Sequence, residues 1–354
     1  MINAIVKEIK LSPCLSVQGN SEPGKAQTLY FGGGTPSILG IDELKLIFET
    51  LKNHIGFLDD IEITLEANPD DITTLKLLQW KSMGINRLSI GIQSFMDKEL
   101  KWMNRTHTSE ESLHCIDLVR DAGFGNFSVD LIYGSPLLSD ENWKRNVEIV
   151  IEKKIPHVSC YALTVEPKTA LDKMIASKKK QPVDPGKQAR QFLLLMDWMA
   201  KAGYEHYEIS NFAKPGMRSK HNSSYWSQTP EGLGKVYYGF GPSAHSYDGK
   251  SRRWNISNNA LYISSLEKNI IPFEEEVLTP VQQLNEYIMT SLRTIEGLDL
   301  DHISSVFGEK FRADLQESSK KHINDNKLVI IDTKLVLTKT GKLFADGIAS
   351  DLFM

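Results

Sequence analysis

The strongest constraint on the fold is a regular alternation of short apolar runs and amphipathic helical patterns between residues 28 and 165. Strand starts recur about every 30 residues, which is the size of one strand–helix–strand unit. This alternation predicts a parallel sheet covered by helices, either as an α/β barrel or as an open sheet. The predicted strands are Thr28–Phe31, Ile61–Leu65, Arg87–Ile90, Phe127–Leu131 and Val158–Ala162.

The segments between these strands have helical patterns near residues 42–53, 73–83, 109–122 and 141–152. Asp42 and Ser109 occupy positions typical of N-caps, and Gly84 and Gly123 follow the predicted helix ends. The first ten residues repeat their apolar side chains at a helical spacing, which predicts an additional amphipathic helix.

Composition narrows the classes of function. The 354 residues are 41% hydrophobic and 24% charged, with a net charge of −4, so nothing favours nucleic-acid binding as a bulk property. No apolar run approaches the roughly 18 residues of a membrane helix. Cys14, Cys115 and Cys160 are too far apart for a CxxC-type ligand set, and so few cysteines favour a reducing, cytoplasmic setting. Cys115 and Cys160 are predicted to be buried free thiols. The sequence leaves a homodimer open.

A glycine-rich loop follows the first predicted strand, in the segment Tyr30–Ser37 that reads YFGGGTPS. Three glycines expose backbone N–H groups with no side chain in the way. A loop of this kind, directly after a buried strand, can donate hydrogen bonds to the carboxylate or phosphate of a small molecule.

Polar residues follow three successive strands at the points where the strands end: Glu66, Gln93 and Asp130. The carboxyl ends of parallel strands and their loops build one face, so we expect these side chains to converge there. Arg105, in the segment MNRT, has a planar guanidinium that can clamp a carboxylate. The sequence therefore predicts a small-molecule pocket at this face.

The motifs YFGGGTPS, LEANPD, RLSIGIQSF, NRTH, SVDLIYG and HVSCYALTVEP together resemble the radical SAM family of coproporphyrinogen III dehydrogenases and heme chaperones. The resemblance extends to the C-terminus. It implies an incomplete radical SAM (β/α)6 partial barrel, in which five strands are found and the first is missing. It also implies contacts with S-adenosylmethionine at Gly33, Gly34, Thr35, Glu66, Gln93, Arg105 and Asp130.

One motif of this family is missing from the sequence. Family members carry CxxxCxxC after their first strand, and its thiolates hold a [4Fe–4S] cluster that cleaves S-adenosylmethionine. Here Cys14 stands alone, so we expect the chain neither to hold the cluster nor to cleave the cofactor, and whether it is an enzyme stays open. Either the true start lies upstream or the protein is a genuine truncated form. The retained cofactor positions favour the first explanation.

A second group of motifs distinguishes the branches of the family. Residues 221–226 read HNSSYW, and residues 239–247 read GFGPSAHSY. Both resemble the heme chaperone branch, in which the first histidine is a proposed heme ligand, and this implies that His221 binds heme. Imidazole is a common heme iron ligand and aromatic rings can pack on a porphyrin. Alternatively, His221 and His245 are hydrogen-bonded structural residues of an irregular loop.

The resemblance thus implies a heme-binding chaperone that delivers heme to apo-haemoproteins, and an intact form would carry a [4Fe–4S] cluster and S-adenosylmethionine. The alternative is an oxygen-independent coproporphyrinogen III dehydrogenase, which decarboxylates two propionate side chains by radical chemistry. HNSSYW and the C-terminal segment weigh against that enzyme.

Three domains are expected: a radical SAM partial barrel over 1–203, an irregular α+β extension over 204–278, and a winged-helix-like domain over 279–354. The last is predicted from three helices, a hairpin over 327–337 and a final helix. Because its acidic and basic residues are mixed, we expect it to serve as a docking domain, with no role in nucleic-acid binding.

Overall fold

The computed structural model describes residues 1–13, 25–226 and 235–354, so Cys14 lies outside the described residues. The helices are α1 Ile2–Leu11, α2 Ile41–Ile55, α3 Thr74–Met83, α4 Asp97–Trp102, α5 Ser109–Asp121, α6 Asp140–Glu152, α7 Ala170–Ala176, α8 Pro185–Lys201, α9 Lys220–Trp226, α10 Asn259–Glu267, α11 Pro280–Leu292, α12 Leu300–Phe307, α13 Glu309–Asn324 and α14 Ala345–Asp351. The strands are β1 Ala26–Phe31, β2 Phe57–Ala67, β3 Arg87–Gln93, β4 Phe127–Tyr133, β5 His157–Ala162, β6 Glu205–Glu208, β7 Asn211–Ala213, β8 His245–Tyr247, β9 Ser251–Asn255, β10 Phe273–Val277, β11 Leu298–Asp299, β12 Leu328–Ile331 and β13 Lys334–Leu337.

The main sheet has seven strands in the order β1-β2-β3-β4-β5-β7-β6. The first five are parallel and adjacent in chain order, which confirms the predicted parallel sheet. β7 and β6 add to the sheet in antiparallel orientation, so the sheet continues past residue 203 into the segment expected to form the extension. Together these strands form a curled half-barrel.

Alternation along the strands gives the sheet two different faces. In β2, Ile61, Ile63 and Leu65 are buried in the apolar core that the helices cover. Successive side chains of a strand point to opposite faces, so Glu62 and Glu66 project to the inner face. The same pattern holds in β3 and β4, and the concave side of the half-barrel is therefore lined by polar side chains. We refer to this polar space as the lumen.

Helix α1 confirms the amphipathic helix predicted from the first residues, and it packs against α2 and α10. Its Glu8 is buried and accepts hydrogen bonds from the Gly241 backbone N–H, the Asn255 amide and the Tyr262 hydroxyl. This carboxylate ties the start of the chain to the extension, because each of its partners lies more than 230 residues away.

The two predicted N-caps are wrong by one or two positions. The N-cap of α2 is Gly40, since Asp42 already lies in the first helical turn. The N-cap of α5 is Thr108, whose hydroxyl accepts from the Glu111 N–H while the Glu111 carboxylate accepts from the Thr108 N–H. That reciprocal capping box satisfies two N–H groups, so Thr108 takes the cap position before Ser109.

The C-terminal unit consists of α11 to α14 and a three-stranded sheet in the order β11-β13-β12, and it encloses its own apolar core. It docks on the main sheet through polar contacts. The Arg293 guanidinium pairs with the buried Glu208 of β6 at 3.1 Å, and the Lys342 ammonium lies 3.0 Å from Nδ1 of His206. Over the described residues, no helix is long and apolar enough to cross a membrane.

Candidate functional site

The glycine loop after β1 lies against the carboxylate that follows β2. A Cβ at Gly32 would lie 2.5 Å from the Tyr30 ring and 2.8 Å from Oε1 of Glu66, so only glycine fits there. Gly33 has a φ of +84°, which other residues seldom adopt. A Cβ at Gly33 or Gly34 would meet no atom within 4 Å, so the space above both is open to a ligand.

The end of the loop is fixed to the segment after β2. The Ser37 hydroxyl donates to Asp71 at 2.6 Å, and the Lys76 ammonium donates to the Ser37 carbonyl at 3.0 Å. Ser37 is fully buried, and Pro36 starts a short 3-10 helix directly after Thr35. These contacts hold the glycine N–H groups in place relative to the polar ends of the strands.

Glu66 and Asp130 meet around the Tyr30 side chain. The Tyr30 hydroxyl donates to Oε1 of Glu66 at 2.7 Å. Burial and the neighbouring carboxylates, first Glu66 and then Asp130, raise the pKa of the Tyr30 phenol, so the hydroxyl remains a donor at neutral pH. Burial raises the pKa of the Asp130 carboxyl to about 7. A hydrogen bond with Ser159 lowers that pKa, but its effect is smaller than that of burial.

Gln93 ends β3 in a left-handed conformation, with a φ of 67° at a break in the register with β4. Such a conformation is uncommon for a residue other than glycine. The Gln93 amide lies beside Gly91 and Asn68, at the end of β3 next to the loop after β2. Glu66 and Asp130 both act on the Tyr30 phenol and so lie close together, while the convergence of Gln93 with them stays a prediction.

Arg105 lies apart from these three side chains. It is exposed, in the loop after α4, and no ion pair holds its guanidinium among the residues that the structure describes. The next residue, Thr106, donates its hydroxyl to Asp70 at 2.8 Å, which ties this loop to the segment after β2. Whether Arg105 contacts the cofactor therefore stays a prediction.

The HNSSYW segment forms helix α9, and its histidine lies in the lumen. The His221 ring stacks on the Tyr30 ring, with centroids 4.6 Å apart and planes inclined by 15°. Its Nδ1 lies 2.9 Å from the Thr28 hydroxyl, and its Nε2 lies 3.2 Å from the Tyr225 hydroxyl. Burial and the positive charge of Arg87 lower the pKa of the His221 imidazole to about 4, so the ring is neutral at physiological pH.

His245 has a different environment from His221. It lies exposed on β8, with its ring 6.4 Å from that of Trp254. The prediction that both histidines lie in an irregular loop is therefore wrong, because His221 lies in helix α9 and His245 lies in the short strand β8. Within residues 1–13, 25–226 and 235–354, no hydrogen bond or ring contact joins His245 to the lumen side chains described above.

The structure adds a buried ion pair that the sequence interpretation missed. Glu62 and Arg87 are 5% and 1% exposed, and their charged groups lie 3.8 Å apart on the inner face of the sheet. Glu62 also accepts from the backbone N–H groups of Lys220 and His221, at 3.1 and 2.9 Å, and so caps the start of α9. The sequence signal for this pair was a charged residue at an alternate position of each apolar strand. Tyr30 and Gly32 were also left out of the predicted site residues.

The cofactor positions implied by the resemblance fit S-adenosylmethionine on these observations. A Cβ at Gly33 or Gly34 would meet no atom within 4 Å, which leaves room for a ligand beside both residues, and the Glu66 carboxylate lies against the neighbouring Gly32. The described cysteines do not fit a [4Fe–4S] cluster. Cys115 in α5 and Cys160 in β5 are both buried, which confirms the prediction for those thiols, and no group of three candidate ligands for a metal ion occurs among the described residues.

The donor set also fits heme. A neutral imidazole is the form that binds heme iron, and Nε2 of His221 is the more weakly held of its two ring nitrogens. The Tyr225 side chain beside it is 44% exposed, so the contact that covers Nε2 lies at the surface. Ligation through Nε2 would require the Tyr225 hydroxyl to give up its contact with that nitrogen.

Comparison with known proteins gives matches over both main parts of the chain. The Radical SAM superfamily model matches residues 18–163, and the HemN C-terminal domain model matches residues 278–344. The solved structure of coproporphyrinogen III oxidase (HemN) from Escherichia coli superposes with a TM-score of 0.83 at 20% identity. It covers 100% of this chain and 82% of that chain, and it supports the fold alone.

Curated relatives match most of the chain. The heme chaperone HemW of Bacillus subtilis (strain 168) is 30% identical over 91% of this chain and 84% of its own length. HemW of Lactococcus lactis subsp. lactis (strain IL1403) is 32% identical over 90% of this chain and 82% of its own. The radical S-adenosyl methionine domain-containing protein 1 of Bos taurus is 30% identical over 92% of this chain and 76% of its own. With this fold and these relatives, the chain belongs to the HemW family of radical SAM proteins.

Proposed function

We propose that this protein is a heme chaperone, which binds heme through His221 and passes it to apo-haemoproteins in the cytoplasm. The observation that carries the proposal is the position of a neutral imidazole on α9, held against the polar lumen of a HemW-family barrel. Curated relatives named as heme chaperones cover nine-tenths of the chain. The coproporphyrinogen III dehydrogenase alternative is not favoured, because the solved structure of HemN shares the fold at only 20% identity.

In this proposal the chain's own residues divide into two sets. Gly33, Gly34 and Thr35 offer backbone donors to S-adenosylmethionine, while Glu66, Gln93, Asp130 and Arg105 supply its acceptors and a cation. The bound cofactor supplies a sulfonium group and a nucleoside. Glu62 and Arg87 orient α9, and His221 presents a nitrogen to iron. The residues that the structure describes include no group of three His, Cys, Asp or Glu side chains that could hold a metal ion.

Heme titration followed by the Soret band tests the proposal. Wild-type protein should saturate near one heme per chain, and His221→Ala should shift the Soret maximum and weaken binding by at least about tenfold. His245→Ala is the matched control, because His245 is an exposed histidine of the same extension, and it should bind heme as wild type does. A thermal melt of each variant checks that it is folded.

Two results contradict the proposal. If wild-type protein does not bind heme, the chaperone function is wrong. If a folded His221→Ala variant binds heme with the wild-type affinity and spectrum, His221 is not the ligand. Transfer is tested separately, by mixing the heme-loaded protein with an apo-haemoprotein and following the absorbance of the acceptor.

A further inference from the structure

Tyr30 contacts both proposed ligand sites with one side chain. Its hydroxyl donates to Oε1 of Glu66, a position expected to contact S-adenosylmethionine. The ring of the same residue stacks on His221, the proposed heme ligand. Tyr30 is only half-buried, so its ring can leave this position without crossing the apolar core.

The stack holds the imidazole in its present orientation. The Tyr30 ring lies on one face of the imidazole and the Thr28 hydroxyl lies 2.9 Å from Nδ1, and these contacts favour the orientation in which Nε2 faces the Tyr225 hydroxyl. The Tyr30 ring is held in turn by the 2.7 Å hydrogen bond between its hydroxyl and Glu66. The position of the imidazole therefore depends on the Glu66 carboxylate through Tyr30.

A ligand in the glycine loop must share that carboxylate. Oε1 of Glu66 lies so close to Gly32 that even a Cβ at that position would be 2.8 Å from it. A ligand ammonium or hydroxyl that binds Glu66 competes with the Tyr30 hydroxyl for the same negative charge. When the charge is shared, the hydrogen bond to Tyr30 weakens and the ring is released from its anchor.

We propose that Tyr30 couples the two sites, so that S-adenosylmethionine bound at Glu66 releases the Tyr30 ring and increases the affinity of His221 for heme. The inference rests on the proposed function and adds regulation of the same site. Thermodynamic linkage makes the effect reciprocal, so bound heme increases the affinity for S-adenosylmethionine by the same factor.

The test compares wild-type protein with Tyr30→Phe, which keeps the stacked ring and removes the hydroxyl that anchors it. The full chain is titrated with hemin, by the Soret band, with and without saturating S-adenosylmethionine. For wild type, the heme Kd should fall about fivefold when S-adenosylmethionine is present, which is at the low end of typical coupling between sites. Tyr30→Phe should bind heme about fivefold more tightly than wild type without S-adenosylmethionine, and should then show no response to it.

The comparison of the heme affinities of wild type and Tyr30→Phe requires no S-adenosylmethionine, since heme is the only ligand added. Tyr204→Phe is the matched control, because the Tyr204 hydroxyl also donates one short hydrogen bond, to the Ile155 carbonyl at 2.6 Å, and contacts neither Glu66 nor His221. It should keep the heme affinity and the linkage of wild type. A thermal melt establishes that each variant is folded.

The possible results distinguish a failure of the coupling from a failure of the proposed heme chaperone function. If wild type binds heme but Tyr30→Phe has the same heme Kd, the coupling is wrong and the chaperone proposal stands. The coupling is equally wrong if S-adenosylmethionine changes the heme Kd of both proteins by the same factor. If neither protein binds heme, the proposed function fails and the coupling fails with it.

Discussion

The backbone N–H of His221 donates to Oε1 of Glu62 at 2.9 Å, across 159 residues of sequence. The same carboxylate accepts from the Lys220 N–H and lies 3.8 Å from the Arg87 guanidinium. A buried carboxylate is stable when its charge is paired and its lone pairs accept hydrogen bonds, and all of these partners are present here. Glu62 thus fixes the start of α9 and with it the depth of His221 in the lumen.

Replacement of Glu62 by methionine should destabilise the fold by roughly 3–5 kcal/mol, because it leaves the Arg87 charge buried without its partner. Chemical denaturation measures this free energy of unfolding. The double variant Glu62→Met/Arg87→Met should lose less than the sum of the two single changes, since it removes both charges together. Asp60→Asn is the control: Asp60 pairs with Lys220 at the exposed surface, and its loss should be nearly silent. Additive losses in the double variant would contradict the buried pair.

Replacement of Gly32 by alanine should cost about 1–3 kcal/mol, because the new methyl group overlaps the Tyr30 ring and the Glu66 carboxylate. It should also weaken S-adenosylmethionine binding, measured by calorimetric titration, since Glu66 must move. Gly125→Ala is a matched control with no atom within 4 Å of its Cβ, and it should change stability by less than about 0.5 kcal/mol. Equal stability of the two variants would show that the loop relaxes freely.

Asp130→Asn should stabilise the protein at alkaline pH. The folded-state pKa of Asp130 is raised from 3.8 to about 7, so its contribution to stability is fully present below pH 4 and is lost as the pH rises through 7. The asparagine variant avoids this loss. Its advantage in the free energy of unfolding should be about 1–2 kcal/mol at pH 8 for a half-buried group, and it should vanish near pH 4.

Asp97→Asn provides the control of opposite sign for this prediction. Hydrogen bonds from the Ser109 backbone and side chain lower the pKa of the exposed Asp97 carboxyl, so its contribution is present above pH 4 and is lost in acid. The Asp97 variant should therefore be less stable than wild type at neutral pH. Thermal melts at pH 4, 6 and 8 measure both differences. An Asp130→Asn advantage that does not change with pH would contradict the raised pKa.

Acid should destabilise the protein through three buried neutral histidines, His157, His206 and His221. Burial lowers the pKa of each, to about 3 for His206 and about 4 for His221, and the stability that they contribute is lost as the pH falls from 6.5 through those values. Each histidine adds up to about 1.4 kcal/mol per pH unit to the slope of the unfolding free energy in that range.

The contribution of His206 to this pH dependence of the unfolding free energy can be measured separately. His206→Gln keeps a group that can bond to both the Ile209 carbonyl and the Lys342 ammonium, but it cannot titrate. Between pH 4 and pH 6 this variant should take up about one proton fewer on unfolding than wild type, so the slope of its unfolding free energy against pH should be smaller. His114→Gln changes an exposed histidine of α5 and should leave the slope as it is. An unchanged slope in His206→Gln would mean that His206 does not charge on unfolding.

The local sequence determined the helices and strands of this protein and which residues lie on each face of its main sheet. The recurrence of strand starts about every 30 residues was sufficient to predict the parallel sheet, and the polar residues that follow three of the strands predicted a pocket at one face. These features depend on backbone geometry and on side-chain polarity within short segments, which a sequence displays directly. The HNSSYW and GGGTPS motifs were equally visible.

Only the tertiary structure brought the two motifs together. Thr28 and His221 are 193 residues apart, and their contact exists because the chain returns through antiparallel β7 and β6 before α9 begins. Nothing in either segment indicates that return, since β6 and β7 are only four and three residues long and their pairing depends on the sheet edge that β5 offers. The stack of His221 on Tyr30 and the capping of α9 by Glu62 are consequences of that closure, and they decide how the two proposed sites communicate.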